Sequence, residues 1–203
     1  MQQQKELTRG DLLRPDGCLA QAGYATELVC RYDRAAIRAG KLRIKEWDYY
    51  CVMDGTTALA LTIADNAYMG LDSVTLIDLA AGQEQTRTFM RLFPMGKTAL
   101  PPTSETGDVA VTRPGYRIAF ENRDGARTLR VHVERFDGAL PLDATITLQA
   151  PPPHSMVIAT PFAGKPRHFY YNQKINCLRA SGTVTVGDRA HTFSPDTAAA
   201  VLD

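Results

Sequence analysis

The fold class is decided by the stretch Tyr116-Arg-Ile-Ala-Phe-Glu-Asn-Arg-Asp-Gly-Ala-Arg-Thr-Leu-Arg-Val-His-Val-Glu134. It contains two segments in which apolar and polar residues alternate, separated by the turn sequence Asn122-Arg-Asp-Gly125. Alternation with period two is typical of a half-buried antiparallel strand. An Asp-Gly pair provides the positive φ angles that a tight reversal requires. The stretch therefore predicts a β-hairpin with one face in a core.

The same pattern recurs along most of the chain, between turn sequences such as Asp54-Gly55, Ala81-Gly82 and Gly187-Asp188. Each alternating segment predicts one buried face, and these faces consist of Leu59, Leu61 and Ile63; Tyr116, Ile118 and Phe120; Leu129, Val131 and Val133; Ile146 and Leu148; Val184 and Val186. Helical signals are confined to residues 33–39 and to a short stretch after Ser194. We therefore predict an all-β fold of roughly 8–11 antiparallel strands in one meander, forming a lipocalin-like barrel or a curved β-sandwich.

Composition excludes several classes of protein. The 203 residues carry a formal net charge of +1, which gives no general attraction to nucleic acid. No apolar run is long enough to span a membrane, and residues 1–10 do not resemble a signal peptide. The four cysteines show no metal-binding spacing, and nucleotide-binding glycine motifs are missing from the sequence. We expect a cytoplasmic protein with reduced thiols, without a metal or other cofactor.

Two carboxylates interrupt a predicted strand over residues 41–53. On period two, Glu46 and Asp48 share a face with Ile44, Tyr50 and Val52. Carboxylates about 6.5–7 Å apart along a strand suit acid/base work, and burial would raise the pKa of at least one of them. The alternative is that both face water or pair with Arg or Lys of a neighbouring strand. Glu46 and Asp48 are the candidate catalytic residues, beside Trp47 and Tyr50 as candidate ligand contacts.

A second segment, residues 168–177, combines a polar row with a mostly apolar row. The polar row provides five candidate ligand-binding side chains, which are His168, Tyr170, Asn172, Lys174 and Asn176. Such a row is typical of a strand that lines a polar cavity, and equally of an exposed face. Asparagine is a poor strand former, which favours a specific polar task for this row. The other histidines lack metal-ligand spacing, and His132 is expected on the solvent side of its strand.

The same two segments resemble an uncharacterised bacterial family known only as a domain of unknown function. The first block is Leu42-Arg-Ile-Lys-Glu-Trp-Asp-Tyr-Tyr50, and the second contains Phe169-Tyr-Tyr-Asn-Gln-Lys-Ile-Asn176. The family in turn is distantly similar to the lipocalin-like, two-barrel group that includes carotenoid hydratases. Members of the family continue beyond the equivalent of Asp203, which implies that this chain is the N-terminal part of a longer protein. We expect residues 1–40 to be a lead-in segment that packs on a β domain over residues 41–203.

Three functions follow as hypotheses. The first is a lipocalin-like domain that binds a small, largely apolar ligand of lipid or isoprenoid type. The second is a hydratase, isomerase or cyclase in which Glu46 or Asp48 donates a proton and Tyr170 or Lys174 stabilises charge. The third is a structural half that packs on a second β domain or a second copy through Trp47, Tyr49 and Tyr171.

Overall fold

The computed structural model describes residues 5–203, and it is built from β-strands. Within this range there are two short 3₁₀ turns, Arg34–Ala36 and Lys41–Arg43, and no α-helix. The strands are β1 (Gly10–Asp11), β2 (Gly23–Ala25), β3 (Cys30–Arg31), β4 (Glu46–Met53), β5 (Thr57–Asp65), β6 (Met69–Asp78), β7 (Gln83–Leu92), β8 (Val109–Arg113), β9 (Tyr116–Arg123), β10 (Ala126–Asp137), β11 (Leu140–Gln149), β12 (Met156–Phe162), β13 (Lys165–Val186), β14 (Arg189–Phe193) and β15 (Ala199–Leu202). The predicted all-β class is confirmed.

One large sheet contains 13 of these strands, and its main path runs β7-β6-β5-β4-β15-β13-β11-β10-β9-β8. Neighbours along the path pair antiparallel. Among the described strands, β7 and β8 at the two ends do not pair with each other, so the sheet is a curved sandwich and the barrel alternative is wrong. Gln85 and Arg87 of β7 instead donate side-chain hydrogen bonds to carbonyls of β10, which brings β7 against the other half of the sheet without a backbone ladder.

The prediction of one continuous meander is also wrong. The chain forms two meanders, β4 to β7 and β8 to β11, and joins them through β15 and β13 at the centre of the sheet. β15 pairs with β4 on one side and with β13 on the other. The last strand of the chain therefore fills the gap between the two halves, a long-range pairing that local patterns do not encode.

The interior of the sandwich is formed by the faces that alternation predicted. All five predicted faces are buried, and Leu59, Ile118 and Leu129 have no exposed surface. The two meanders face each other across this core, since Tyr50 of β4 packs edge-on against Phe120 of β9 at 4.7 Å between ring centroids. Period-two patterning therefore predicts the core correctly, because each strand has one face in it.

The predicted turn sequences do connect strands. Asp54-Gly55, Asn122–Gly125, Ala81-Gly82 and Gly187-Asp188 lie in four of the hairpins. The predicted helix over residues 33–39 is only the 3₁₀ turn Arg34–Ala36, capped at its start by Asp33. The stretch after Ser194 leads into β15 and forms no helix. The strand predicted from residue 41 begins at Glu46, because Lys41–Arg43 makes a tight turn first.

A buried polar network ties β6, β7 and β9 together. Asp72 has no exposed surface, and it accepts two hydrogen bonds from Arg91, at 2.7 and 2.9 Å, and one from the Tyr116 hydroxyl at 2.8 Å. Arg91 also donates to Thr98, which donates to the equally buried Asp65. Every charge in this network has a partner of opposite sign or a hydrogen bond, which is what burial of charges requires.

The lead-in segment, residues 5–40, packs beside the sandwich. Its residues Leu7, Leu12, Leu13, Leu19, Ala25 and Cys30 form a second hydrophobic cluster with Val157 and Ala159 of β12. β2 pairs with β12, which pairs with the first half of β13. Residues 1–4 of the predicted lead-in lie outside the described part of the chain. The lead-in thus lies against the half of β13 that precedes its pairing with β11.

β13 bends where these two regions meet. Its register shifts between Ile175 and Leu178, and Cys177 has a φ of +61°, so two consecutive residues, Asn176 and Cys177, point to solvent. The bend separates a first half on the lead-in cluster from a second half in the main sheet. A cavity lies beside the first half of β13, between the two hydrophobic clusters.

Candidate functional site

A cavity of about 510 Å³ lies between the lead-in segment and the open end of the sandwich. Its wall is formed by the lead-in around Tyr32 and Ile37, residues 43–48 at the start of β4, the loop of residues 100–104 and residues 167–173 of β13. Phe162 of β12, and Leu202 and Asp203 at the end of β15, complete it. The loop lies between β7 and β8 in the chain, and its Leu100 packs against the core of the sandwich. The cavity has the size of a small-molecule site, for which about 300–1,000 Å³ is usual.

Glu46 lines the cavity and joins β4 to the lead-in. Its carboxylate is ion-paired with Arg34 and accepts a hydrogen bond of 2.5 Å from the Tyr32 hydroxyl. Burial and the bond to Glu46 raise the pKa of Tyr32, so this hydroxyl keeps its proton. The alternative of a structural ion pair applies to Glu46, although its partner belongs to the lead-in and not to a neighbouring strand.

Asp48 also lines the cavity, two residues further along β4, and among residues 5–203 its carboxylate has no hydrogen-bond or ion-pair partner. Burial raises its pKa to about 6, the charge of Arg127 opposes this rise, and the charge of Glu46 adds to it. A free carboxyl group with a pKa near neutrality is suited to proton transfer. The expected raised pKa in this pair of carboxylates therefore belongs to Asp48.

Arg127 of β10 is a buried cation behind this carboxylate, and sequence reasoning missed it. It is 5% exposed, and its Nε has no hydrogen-bond partner in the described part of the chain. Its Nη2 donates to the carbonyl of Ser104, which also accepts from the side chain of Asn122. The sequence pattern could have identified Arg127 as buried. It occupies the same face of its alternating strand as the core residues Leu129 and Val131.

The loop of residues 100–104 is fixed to both sides of the cavity. Besides its contact with Arg127, Ser104 donates from its hydroxyl to Gln173 of β13 at 2.6 Å. Gln173 in turn donates to Ser155 at 2.9 Å. The loop contains Pro101 and Pro102, which are unfavourable inside a strand. Its role as a cavity wall depends on these long-range bonds.

Aromatic rings form much of the wall. Trp47 stacks on Tyr170 with 6.1 Å between ring centroids and 28° between ring planes. Tyr171 donates its hydroxyl to the carbonyl of Cys30 at 3.1 Å, and burial raises its pKa to about 12. Phe169 lies beside it and packs on the lead-in cluster. Residues 165–174 pair on one side only, with β12, and both faces of this stretch contribute to the wall.

The predicted polar row on β13 divides into three groups. His168, Tyr170 and Asn172 line the cavity. Lys174 does not line it, and forms an ion pair with Asp203, which also accepts a hydrogen bond of 2.6 Å from Asn172. Asn176 is exposed on the bend and lies away from the cavity. The bulge ends the alternation at residue 175, so the predicted face is shorter than expected.

The other predicted residues of β4 are placed as follows. Tyr50 lies in the sandwich core, 4% exposed, and is not part of the cavity wall. Trp47, predicted on the opposite face from Glu46, does line the cavity. Tyr49 exchanges two backbone hydrogen bonds of 2.8 Å with Asp203. Of the three residues of the structural hypothesis, Trp47 and Tyr171 are therefore half-buried in the cavity wall.

The histidines outside the cavity form only small polar clusters. His191 lies on β14, where its Nε2 is 2.7 Å from Asp54 and its Nδ1 is 3.4 Å from the Thr57 hydroxyl. His132 is on the solvent side of β10, as predicted, and pairs with Asp143. Over residues 5–203, no three His, Cys, Asp or Glu side chains are grouped so as to hold a metal ion. The same range contains no helix with the length and apolar character of a membrane crossing.

Residues 3–203 match one protein family along almost the whole chain. The chain belongs to the DUF2804 family, a domain of unknown function. The predicted membership of a family of this kind is confirmed, and the DUF2804 description names no activity. No curated protein and no solved structure matches the chain. The cavity is therefore the feature of this DUF2804 domain from which a function has to be inferred.

Proposed function

We propose that the cavity binds a small, largely apolar organic ligand. The observation that carries this proposal is an aromatic-lined space of about 510 Å³, which extends between two hydrophobic clusters and is not filled by side chains of residues 5–203. Ligand pockets of this size are usually apolar with a few polar groups that fix orientation.

The wall offers both kinds of contact. The Trp47–Tyr170 stack and the ring of Phe169 provide apolar surface for a ligand body. Asp48, His168 and Asn172 provide hydrogen-bonding groups on the same wall. Aromatic rings contribute strongly to binding because they bury a large area with few rotatable bonds.

A fluorescent apolar probe tests the proposal. N-phenylnaphthylamine is uncharged, fluoresces in apolar surroundings, and accepts excitation energy from tryptophan. Trp47 is the single tryptophan of the chain and lines the cavity. We expect saturable energy transfer from Trp47 to the probe, reversed by long-chain alcohols that compete for the same space.

A cavity-filling variant gives the control. Ala39 lines the cavity, so Ala39→Phe should fill part of it and weaken probe binding. Ala139 is exposed in the β10–β11 turn, and Ala139→Phe adds the same side chain away from the cavity. Equal probe binding by the two variants, or no binding by the unmodified protein, would contradict the proposal.

A second candidate function is acid/base catalysis, and the unpaired Asp48 favours it. With a pKa of about 6, Asp48 would carry a proton in about one molecule in ten at pH 7, far more often than an ordinary aspartate. It could donate this proton to a carbon–carbon double bond of a bound ligand, the first step of hydration or isomerisation. Glu46 is held by Arg34 and Tyr32, so the acid role falls to Asp48 alone.

Isotope exchange tests this second function. Ligands that co-purify with the protein are incubated with it in deuterated water, and mass spectrometry follows incorporation of deuterium into carbon–hydrogen bonds. Asp48→Asn should abolish incorporation and retain binding of N-phenylnaphthylamine. Incorporation that is equal in the variant and the unmodified protein would refute a catalytic role of Asp48.

A further inference from the structure

The charged side chains of the cavity wall differ in whether they have a partner of opposite charge. The wall contains three cationic residues, Arg43, Lys45 and Arg167, and three acidic ones, Glu46, Asp48 and Asp203. By count alone these charges cancel. The charge that acts on a ligand depends on which of these side chains are already ion-paired, because an ion-paired carboxylate attracts a second cation only weakly.

Two of the three acids form an ion pair with a cation that does not belong to the wall, and the third, Asp48, has a buried cation behind it. Glu46 is paired with Arg34, and Asp203 with Lys174. Asp48 is influenced by the positive charge of the buried Arg127. Neither Arg34, Lys174 nor Arg127 lines the cavity. The charges of Glu46 and Asp203 are thus neutralised by ion pairs, and the charge of Asp48 is partly offset by Arg127.

The three cations of the wall are not compensated in this way. Among residues 5–203, none of Arg43, Lys45 and Arg167 forms an ion pair. All three are exposed, whereas the aromatic residues Trp47 and Tyr170 are half-buried. The cations therefore lie at the mouth of the cavity, and the rings lie deeper. Arg43 and Lys45 approach it from the segment before β4, and Arg167 from the beginning of β13.

We propose that the ligand is an amphiphilic anion, with an apolar body among the aromatic rings and a carboxylate or phosphate head between Arg43, Lys45 and Arg167. This inference rests on the proposed ligand-binding function and adds the charge of the ligand to it. Guanidinium groups bind both kinds of head through paired hydrogen bonds, and an ammonium group adds a point charge. A neutral ligand would leave these three charges without a partner.

Two probes with the same body separate the inference from the function on which it rests. Anilinonaphthalene sulfonate is N-phenylnaphthylamine with one added sulfonate, and both accept energy from Trp47. We expect the sulfonated probe to bind about tenfold more tightly than the neutral one, by an amount that shrinks as salt screens the head group. If only the neutral probe binds, or both bind equally, the inference is overturned and the proposed function stands. If neither binds, the proposed function itself fails.

Variants test whether the preference for the sulfonated probe depends on the three cations at the mouth of the cavity. In the triple variant Arg43→Gln, Lys45→Gln and Arg167→Gln, the two probes should bind with affinities within about twofold of each other, because exposed charges each contribute modestly. The control triple variant Lys97→Gln, Arg117→Gln and Arg135→Gln removes the same number of exposed charges elsewhere and should keep the tenfold preference. An unchanged preference in the mouth variant would overturn the inference.

Competition distinguishes the two kinds of head group. Decanoate, decyl phosphate and decanol share one alkyl chain, and each is titrated against bound anilinonaphthalene sulfonate. Displacement by decanoate at lower concentration than by decyl phosphate identifies a carboxylate ligand, and the reverse order identifies a phosphate monoester. Displacement by decanol at the same concentration as the two anions would overturn the inference.

Discussion

Arg34 in the lead-in segment forms an ion pair with Glu46, the first residue of β4. The pair holds two parts of the chain together at the cavity wall. Arg34 itself lies against Gly96 of the loop after β7, where a Cβ atom would come within 2.5 Å of its Nε. Gly96 has a φ of +89°, a conformation that favours glycine, so both the backbone and the packing require it here. One arginine therefore positions three segments around the proposed ligand site.

The first prediction concerns this ion pair. Glu46→Gln removes the charge and keeps the size of the side chain, and it should lower the free energy of unfolding by about 1–2 kcal/mol, since a charged hydrogen bond is lost from a mostly buried position. Urea denaturation measures the change. Glu27→Gln is the matched control, because Glu27 pairs with Arg9 on the surface, where side chains are 61% and 80% exposed. We expect an effect of less than about 0.5 kcal/mol there. Equal effects would refute the role of the pair.

The second prediction concerns the buried network at Asp72. Asp72→Asn leaves the Arg91 guanidinium without its anion in the sandwich interior, and should cost about 3–5 kcal/mol. Thermal unfolding followed by circular dichroism measures it. Asp143→Asn on the exposed face of β11 serves as control, because both members of its pair with His132 are solvent-accessible. A cost below about 1 kcal/mol for the buried variant would show that Asp72 does not stabilise the fold through its charge.

The third prediction is a pH dependence that originates at Asp48. Its pKa is about 6 in the folded protein, against an ordinary value of 3.8. The folded state therefore binds this proton more tightly than the unfolded state, and the contribution of Asp48 to stability falls as the pH rises from about 4 to about 6. The shift corresponds to at most about 3 kcal/mol, and because the Asp48 side chain is only half-buried we expect about 1–2 kcal/mol.

Asp48→Asn should remove the loss of stability that accompanies ionisation of Asp48. The variant is expected to be more stable than the unmodified protein by about 1–2 kcal/mol at neutral pH, and equally stable below about pH 4. Urea denaturation across this pH range, together with carboxyl NMR titration of Asp48, provides the measurement. The facing groups Glu46, Tyr50 and Arg127 are unchanged in the variant. A difference that does not depend on pH would disprove a shifted Asp48 pKa.

Local patterns predicted the fold class and the core but not the topology. Alternation identified Leu129 and Val131 as core residues because the identity of a buried face depends on nearby sequence. The position of β15 between β4 and β13 depends on contacts between residues far apart in the chain. The bulge at Cys177 was not predicted either. Its positive φ occurs in a cysteine, a residue type that does not favour this conformation, so the local sequence contains no signal for it.

The candidate site was predicted in part. Trp47, Asp48 and Tyr170 line the cavity, and an unusual polarity pattern in two strands pointed to them. Lys174 instead pairs with Asp203, and Asn176 is exposed beyond the bulge. Contributions from the lead-in and from the loop of residues 100–104 were not predicted, since these segments have no periodic pattern from which a contact follows.

The most direct test of a ligand-binding cavity is the NMR signal of the Trp47 indole N–H, the single signal of its kind in this chain. Titration with N-phenylnaphthylamine should shift this signal in a saturable way, because Trp47 lines the cavity. Ala39→Phe should reduce the shift, and Ala139→Phe should leave it unchanged. An indole signal that stays in place at probe concentrations that saturate known apolar sites would contradict the account.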